Sequence, residues 1–182
     1  YALDRRTGKI IWNSRDGYRT THATPTIVDG RVYHAADAKL HCADAIDGKD
    51  IWTLELPGGW TLSSPVVSGG KVFVGGPDGY MYCVDAESGQ KIWTRGTGES
   101  ILCFTPYGRD RNPFIASPVV SGDTVYCGSG DGRLYAYSAS SGEVLWQYDL
   151  GVPITSSVAV SGNTVYVTTF DGAVHAFVGA GS

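Results

Sequence analysis

The sequence predicts an all-β fold, a β-propeller of four-stranded antiparallel blades, and three observations predict it. Tryptophan recurs at positions 12, 52, 93 and 146, spaced about 40 residues apart with one longer unit, and a glycine lies four residues before each. A second block of apolar residues precedes the later tryptophans at a fixed offset. Asp-Gly turns join alternating apolar runs, which is the pattern of short hairpins. Internal repeats of this length, each carrying four short strands, describe blades that bury their faces against one another around an axis.

The tryptophan blocks run over 2–12, 42–52, 83–93 and 136–146. Ala2, Cys42, Cys83 and Ala136 stand ten residues before tryptophan, and Asp4, Asp44, Asp85 and Ser138 eight before it. The preceding blocks run over 23–33, 63–73, 116–126 and 156–166. Strand A is the Pro-Val-Val type of run, and a D/S-G turn leads to strand B, as in Val72-Phe73-Val74. The turns at Asp78-Gly79, Asp131-Gly132 and Asp171-Gly172 lead to strand C, with both central residues expected at positive φ. Ala36-Asp37-Ala38-Lys39 takes that place in the first full repeat. A T/S-G turn then leads to strand D, as in Gln90 to Thr94. Residues 1–182 form one propeller domain or propeller segment. Its landmarks are a partial blade at 1–13, units at 23–53, 63–94 and 116–147, and a partial blade at 156–178. The chain opens inside a repeat, so its start is expected to be internal to a longer protein; a four-bladed ring closed by its ends is the alternative.

The block from Ala2 to Trp12 fits the pattern A-x-D-x-x-T-G-K-x-x-W, and the others fit with substitutions. This resembles the tryptophan-docking motif of the pyrroloquinoline-quinone (PQQ)-like repeat family, which includes quinoprotein dehydrogenases and BamB-like outer-membrane assembly propellers. The resemblance spans essentially the whole chain. It implies that Trp12, Trp52, Trp93 and Trp146 stack between blades and dock on glycines such as Gly8, Gly48, Gly89 and Gly142 of neighbouring turns. It also implies a cell-envelope setting, periplasmic or extracellular.

The 182 residues carry a net charge of −4, with 42% hydrophobic and 18% charged residues. That is a folded globular composition, and its acidic balance speaks against nucleic acid, which needs a cationic surface. No apolar run is long enough to span a membrane. Cys42, Cys83 and Cys127 read as packed strand thiols and Cys103 falls in an irregular insertion; metal-finger and haem spacings are absent. His41 and His175 hold the strand-C position of Tyr82 and Tyr135, and His34 the strand-B position of Val74, so packing accounts for them. The acidic run Asp44–Asp50 lacks the distal glutamate of a calcium loop and reads as one more T/S-G turn. No catalytic, metal or cofactor site is expected.

The departure from the repeat is an insertion after Trp93, through Phe104, Tyr107, Arg109, Arg111 and Phe114. It lies in a D-to-A connection, on the end of the blades where the other such loops place Tyr18, Arg19, His22 and Trp60. Aromatic and arginine side chains on loops over a rigid scaffold are usual anchors of recognition. The bland account is that Phe104, Phe114 and Trp60 plug the loop bases. The expected function is non-catalytic binding of another protein through this face, as in outer-membrane assembly or sensor propellers. The resemblance supplies one alternative, part of a PQQ-dependent alcohol or sugar dehydrogenase with PQQ and calcium, though a vicinal cysteine pair is absent. The other is a carbohydrate-binding propeller stacking sugars on Trp60, Tyr18 and Tyr107.

Overall fold

The computed structural model describes residues 1–13, 23–36, 38–59, 61–102 and 114–179. Among them no residue is helical, and the strands fall into five antiparallel sheets. The first sheet pairs β1 (Ala2–Leu3) with β2 (Ile10–Trp12). Three complete blades follow. They are β3 (Thr26–Val28), β4 (Arg31–Ala36), β5 (Lys39–Asp44) and β6 (Asp50–Glu55); then β7 (Val66–Ser68), β8 (Lys71–Gly75), β9 (Tyr80–Asp85) and β10 (Lys91–Gly96); then β11 (Val119–Ser121), β12 (Thr124–Gly128), β13 (Arg133–Ser138) and β14 (Val144–Asp149). The last sheet holds β15 (Ala159–Ser161), β16 (Thr164–Thr168) and β17 (Val174–Val178). Each complete blade is thus an A-B-C-D meander, and among the described residues no helix is long and apolar enough to cross a membrane. Strand D begins at Lys91 and runs to Gly96, two residues beyond the expected Thr94, because it pairs with β9 as far as Tyr80.

The A strands lie side by side, β3 on β7, β7 on β11 and β11 on β15, so the sheets fan from a shared inner edge. The core lies between blades rather than inside any one of them. Val72, Val74, Tyr82 and Val84 pack on Tyr33, Leu40, Cys42 and Leu56 of the blade before. Phe73, Cys83 and Trp93 face Val125, Cys127, Tyr135 and Tyr137 of the blade after. Successive strand residues point to opposite faces, so one strand serves both seams.

The docking geometry repeats at three seams. The indole N–H groups of Trp12, Trp52 and Trp93 donate to the carbonyls of Ala45, Ala86 and Ala139 in the next blade, at 2.9, 3.2 and 3.2 Å. Gly48, Gly89 and Gly142 lie under the three rings with φ of 72°, 73° and 70°. A Cβ at these glycines would fall 2.5, 2.6 and 2.5 Å from ring carbons of Trp12, Trp52 and Trp93. The position therefore needs glycine twice over, for its left-handed backbone and for the ring that covers it. The preceding aspartate shapes the turn: Asp85 Oδ1 accepts the N–H groups of Glu87 and Ser88 at 3.2 and 2.8 Å, and Gly89 N–H closes on Asp85 O at 3.0 Å. Trp93 is the most enclosed of the four docking indoles, 7% exposed, whereas Trp146 is 37% exposed and rests on Phe177 and Tyr126. Gly8 has nothing within 4 Å of a built Cβ.

One turn expectation is corrected. At the B-to-C turns only the glycine is left-handed, with φ of 83°, 86° and 87° at Gly79, Gly132 and Gly172; Asp29 is the one non-glycine residue at positive φ among those described. Gly79 N–H bonds Gly76 O at 3.4 Å and Asp78 Oδ1 accepts Tyr80 N–H at 3.2 Å. This is a longer loop ending in a left-handed glycine, with the aspartate acting as a cap rather than as a strained turn residue. The two-residue turn with both residues positive occurs instead between A and B, at Asp29-Gly30 and Gly69-Gly70.

These contacts predict a graded pair of substitutions. Gly122→Ala strains a left-handed backbone in open space and should cost about 1 kcal/mol. Gly142→Ala carries the same strain and also drives a methyl into Trp93, adding about 1–3 kcal/mol of overpacking. Urea denaturation of the two variants measures the difference; equal costs would show that the glycine seat does not hold the indole.

Candidate binding face and a histidine-carboxylate cluster

The loop end of the molecule is built from hydrogen bonds between D-to-A and B-to-C connections. Thr97 N–H donates to Gly79 O and Leu150 N–H to Gly132 O, at 3.0 and 2.9 Å, pinning each strand-D exit to its own blade. The chain returns at the same place: Phe114 N–H meets Gly76 O and Ile154 N–H meets Ser129 O, both at 3.0 Å. The Phe114 and Ile154 side chains then fill the space over Gly75 and Gly128, where a Cβ would lie 2.3 and 2.1 Å from them. Phe114 is a buried plug, 1% exposed, and part of the core.

The long connection leaves this frame toward the following blade. Gly98 N–H donates to Asp131 Oδ2 at 2.8 Å and Ile101 N–H to Gly130 O at 3.1 Å. The Asp131 carboxylate is buried and also accepts from the Tyr135 hydroxyl, while Arg133 pairs with Asp149 at 3.1 Å. Burial, helped by the bond to Asp131, pushes the Tyr135 phenol up to about 12. The insertion is thus held at both ends, on Asp131 and on Gly76. Tyr18, Arg19, His22, Trp60, Phe104, Tyr107, Arg109 and Arg111 all lie outside the described residues, as does Cys103.

A second grouping lies in the β3–β6 blade. His34 and His41 are direct partners across β4 and β5, with rings stacked 4.7 Å apart and 2° from parallel. His41 Nδ1 lies 3.2 Å from Asp50 Oδ2, and one donor atom from each of the three side chains falls within 4.8 Å of the others. Burial, reinforced by the His41 imidazole, lowers His34 to about 4. Each histidine taken singly is explained by packing; the convergence shows in the register, where three departures from the repeat fall in a single blade. His175 stands in another sheet, 3.3 Å from Thr169 Oγ1. Cys42, Cys83 and Cys127 are buried free thiols, and burial raises all three, Cys83 to about 12. The Asp44 run is a turn, with Asp44 Oδ1 accepting from Ile46 N–H at 2.6 Å.

A family model described as outer membrane protein assembly factor BamB matches residues 1–108 and, in a second match, 77–180. The chain belongs to the BamB family. The outer membrane protein assembly factor BamB of Yersinia pestis is 28% identical over 161 residues, covering 83% of this chain and 39% of the relative. The crystal structure of BamB from Moraxella catarrhalis superposes with a TM-score of 0.76 at 24% identity, over 94% of this chain and 50% of that one. A quinohemoprotein alcohol dehydrogenase from Pseudomonas putida HK5 shares the fold at a TM-score of 0.73 and 21% identity, over 87% of this chain and 30% of that one. The chain therefore spans about two-fifths to one half of its BamB relatives. The donor set in the β3–β6 blade, two imidazoles and one carboxylate, does not fit calcium, which takes an all-oxygen shell.

Because the folded protein holds the Tyr135 proton to about 12, well above the usual value of 10.0, the folded state binds more protons than the unfolded one between those pH values. Stability supplied by this phenol is complete below pH 10 and is lost as pH rises toward 12. The Tyr135→Phe variant should lose stability less steeply over that range in urea denaturation; an unchanged slope would contradict the assignment.

Proposed function

We propose that this chain is part of a protein-binding propeller that serves outer-membrane protein assembly in the cell envelope, and that it meets its partner through the D-to-A loop face. Family membership carries this reading, since the matching model is described as an outer membrane protein assembly factor. The physical support is a rigid stack of blades from which one connection is much longer than its counterparts. Both ends of that connection are fastened, at Asp131 and Gly76. Its sequence holds Phe104, Tyr107, Arg109 and Arg111, residue types that dominate binding energy at interfaces. Tyr18, Arg19, His22 and Trp60 belong to connections of the same class.

The test is crosslinking in intact envelopes, with a photoreactive residue placed at 107 or 109 of the protein that contains this chain. Crosslinks to a discrete protein are expected, and Tyr107→Ala with Arg109→Ala should weaken capture of that protein about tenfold or more. Lys9→Ala and Lys49→Ala, on the T/S-G turns at the opposite end, should leave capture unchanged. The reverse pattern, with loss from the T/S-G end and none from the loop, would overturn the proposal.

A further inference from the structure

We propose that the β3–β6 blade holds a binding site for a divalent transition-metal ion of the zinc or nickel kind, formed by His34, His41 and Asp50.

The repeat itself supplies the comparison. The strand-B to strand-C pair that is His34 and His41 in this blade is Val74 and Tyr82, Cys127 and Tyr135, and Val167 and His175 in the next three sheets. The residue two before the docking tryptophan is Asp50 here, and Ile10, Lys91 or Val144 elsewhere. A histidine at the strand-C position is compatible with simple packing, as His175 opposite Val167 illustrates. In the β3–β6 blade all three positions change together, each to a metal-ligating residue type, and the three side chains meet. No other group of three such side chains with converging donor atoms occurs among the described residues.

The local structure favours capture by small adjustments. Leu40 and Cys42 enter the core shared with the following blade, so by strand alternation His41 points to the opposite face. His41 is 3% exposed and fixed, whereas His34 is half-buried and Asp50 exposed. Ligand atoms now within 4.8 Å of one another need to approach an ion to about 2.0–2.2 Å. Coordination would require the two outer side chains to rotate toward His41 and the imidazoles to unstack, so that their lone pairs converge rather than run parallel. Two nitrogens and one carboxylate suit zinc, nickel or copper rather than calcium or magnesium. Three protein ligands leave a further position for water or for a side chain of a bound protein.

The test is calorimetric titration of the chelator-treated chain with zinc and, separately, with nickel. One ion per chain is expected. His34→Val, His41→Tyr and Asp50→Lys install residues that other blades carry, so the blade should still fold, as circular dichroism would verify. Each should weaken binding by at least the roughly 10–100-fold that loss of a mere supporting group costs. His175→Tyr should leave binding unchanged. Zinc should also shift the imidazole resonances of His34 and His41 in the unsubstituted chain and not those of His175. Equal zinc binding by the unsubstituted chain and the triple variant, absence of binding to the unsubstituted chain, or resonance shifts confined to other histidines would each overturn the site.

Discussion

Each docked indole sits on a left-handed glycine of the next blade and donates its N–H to a carbonyl three residues before that glycine, and the blade stack depends on this contact. A four-stranded sheet this small cannot bury its own faces; it becomes stable only by sharing both with neighbours. The tryptophan fixes the angle and spacing at which that sharing occurs. Burying such a ring contributes on the order of 2–3 kcal/mol of apolar transfer, and its indole bond sets direction. The aspartate or serine that opens each turn, and the glycine that closes it, present one flat seat and one carbonyl. The seams then fill with the alternating valines, tyrosines and cysteines of strands B and C.

Much of this was legible in the sequence because the repeat prints the same constraint several times. Gly48, Gly89 and Gly142 each stand four residues before a tryptophan, yet the ring each one seats belongs to the preceding blade. Spacing along the chain exposes the motif; the resemblance to PQQ-like repeats, rather than the spacing, pointed to a neighbouring blade as the partner. The Asp-Gly turns show the opposite case. The dipeptide signals a hairpin, but whether aspartate adopts positive φ or caps the turn depends on loop length, and here Asp78 and Asp131 cap. Asp131 additionally receives Gly98 from the long connection, a tertiary role that no local pattern encodes.

The histidine-carboxylate cluster was missed for a related reason. His34, His41 and Asp50 each have a bland explanation in isolation, and only cross-strand register places them together. Repeat proteins make such clusters readable, since the equivalent residues of other blades state what packing alone requires. The loop end divides in the same way. Phe114 is a core residue over Gly75, while the long connection is anchored beyond it on the neighbouring blade. A stiff stack with fastened loop bases suits recognition, because little order has to be gained when a partner binds.

Amide hydrogen exchange of the Trp93→Ala chain tests the docking contact most directly. If the indole couples the blades, protection should fall together in β9–β10 and across the seam in β13, while β3–β5 keep most of theirs. Faster exchange confined to β10, with β13 as protected as before, would mean that the blades hold together without it.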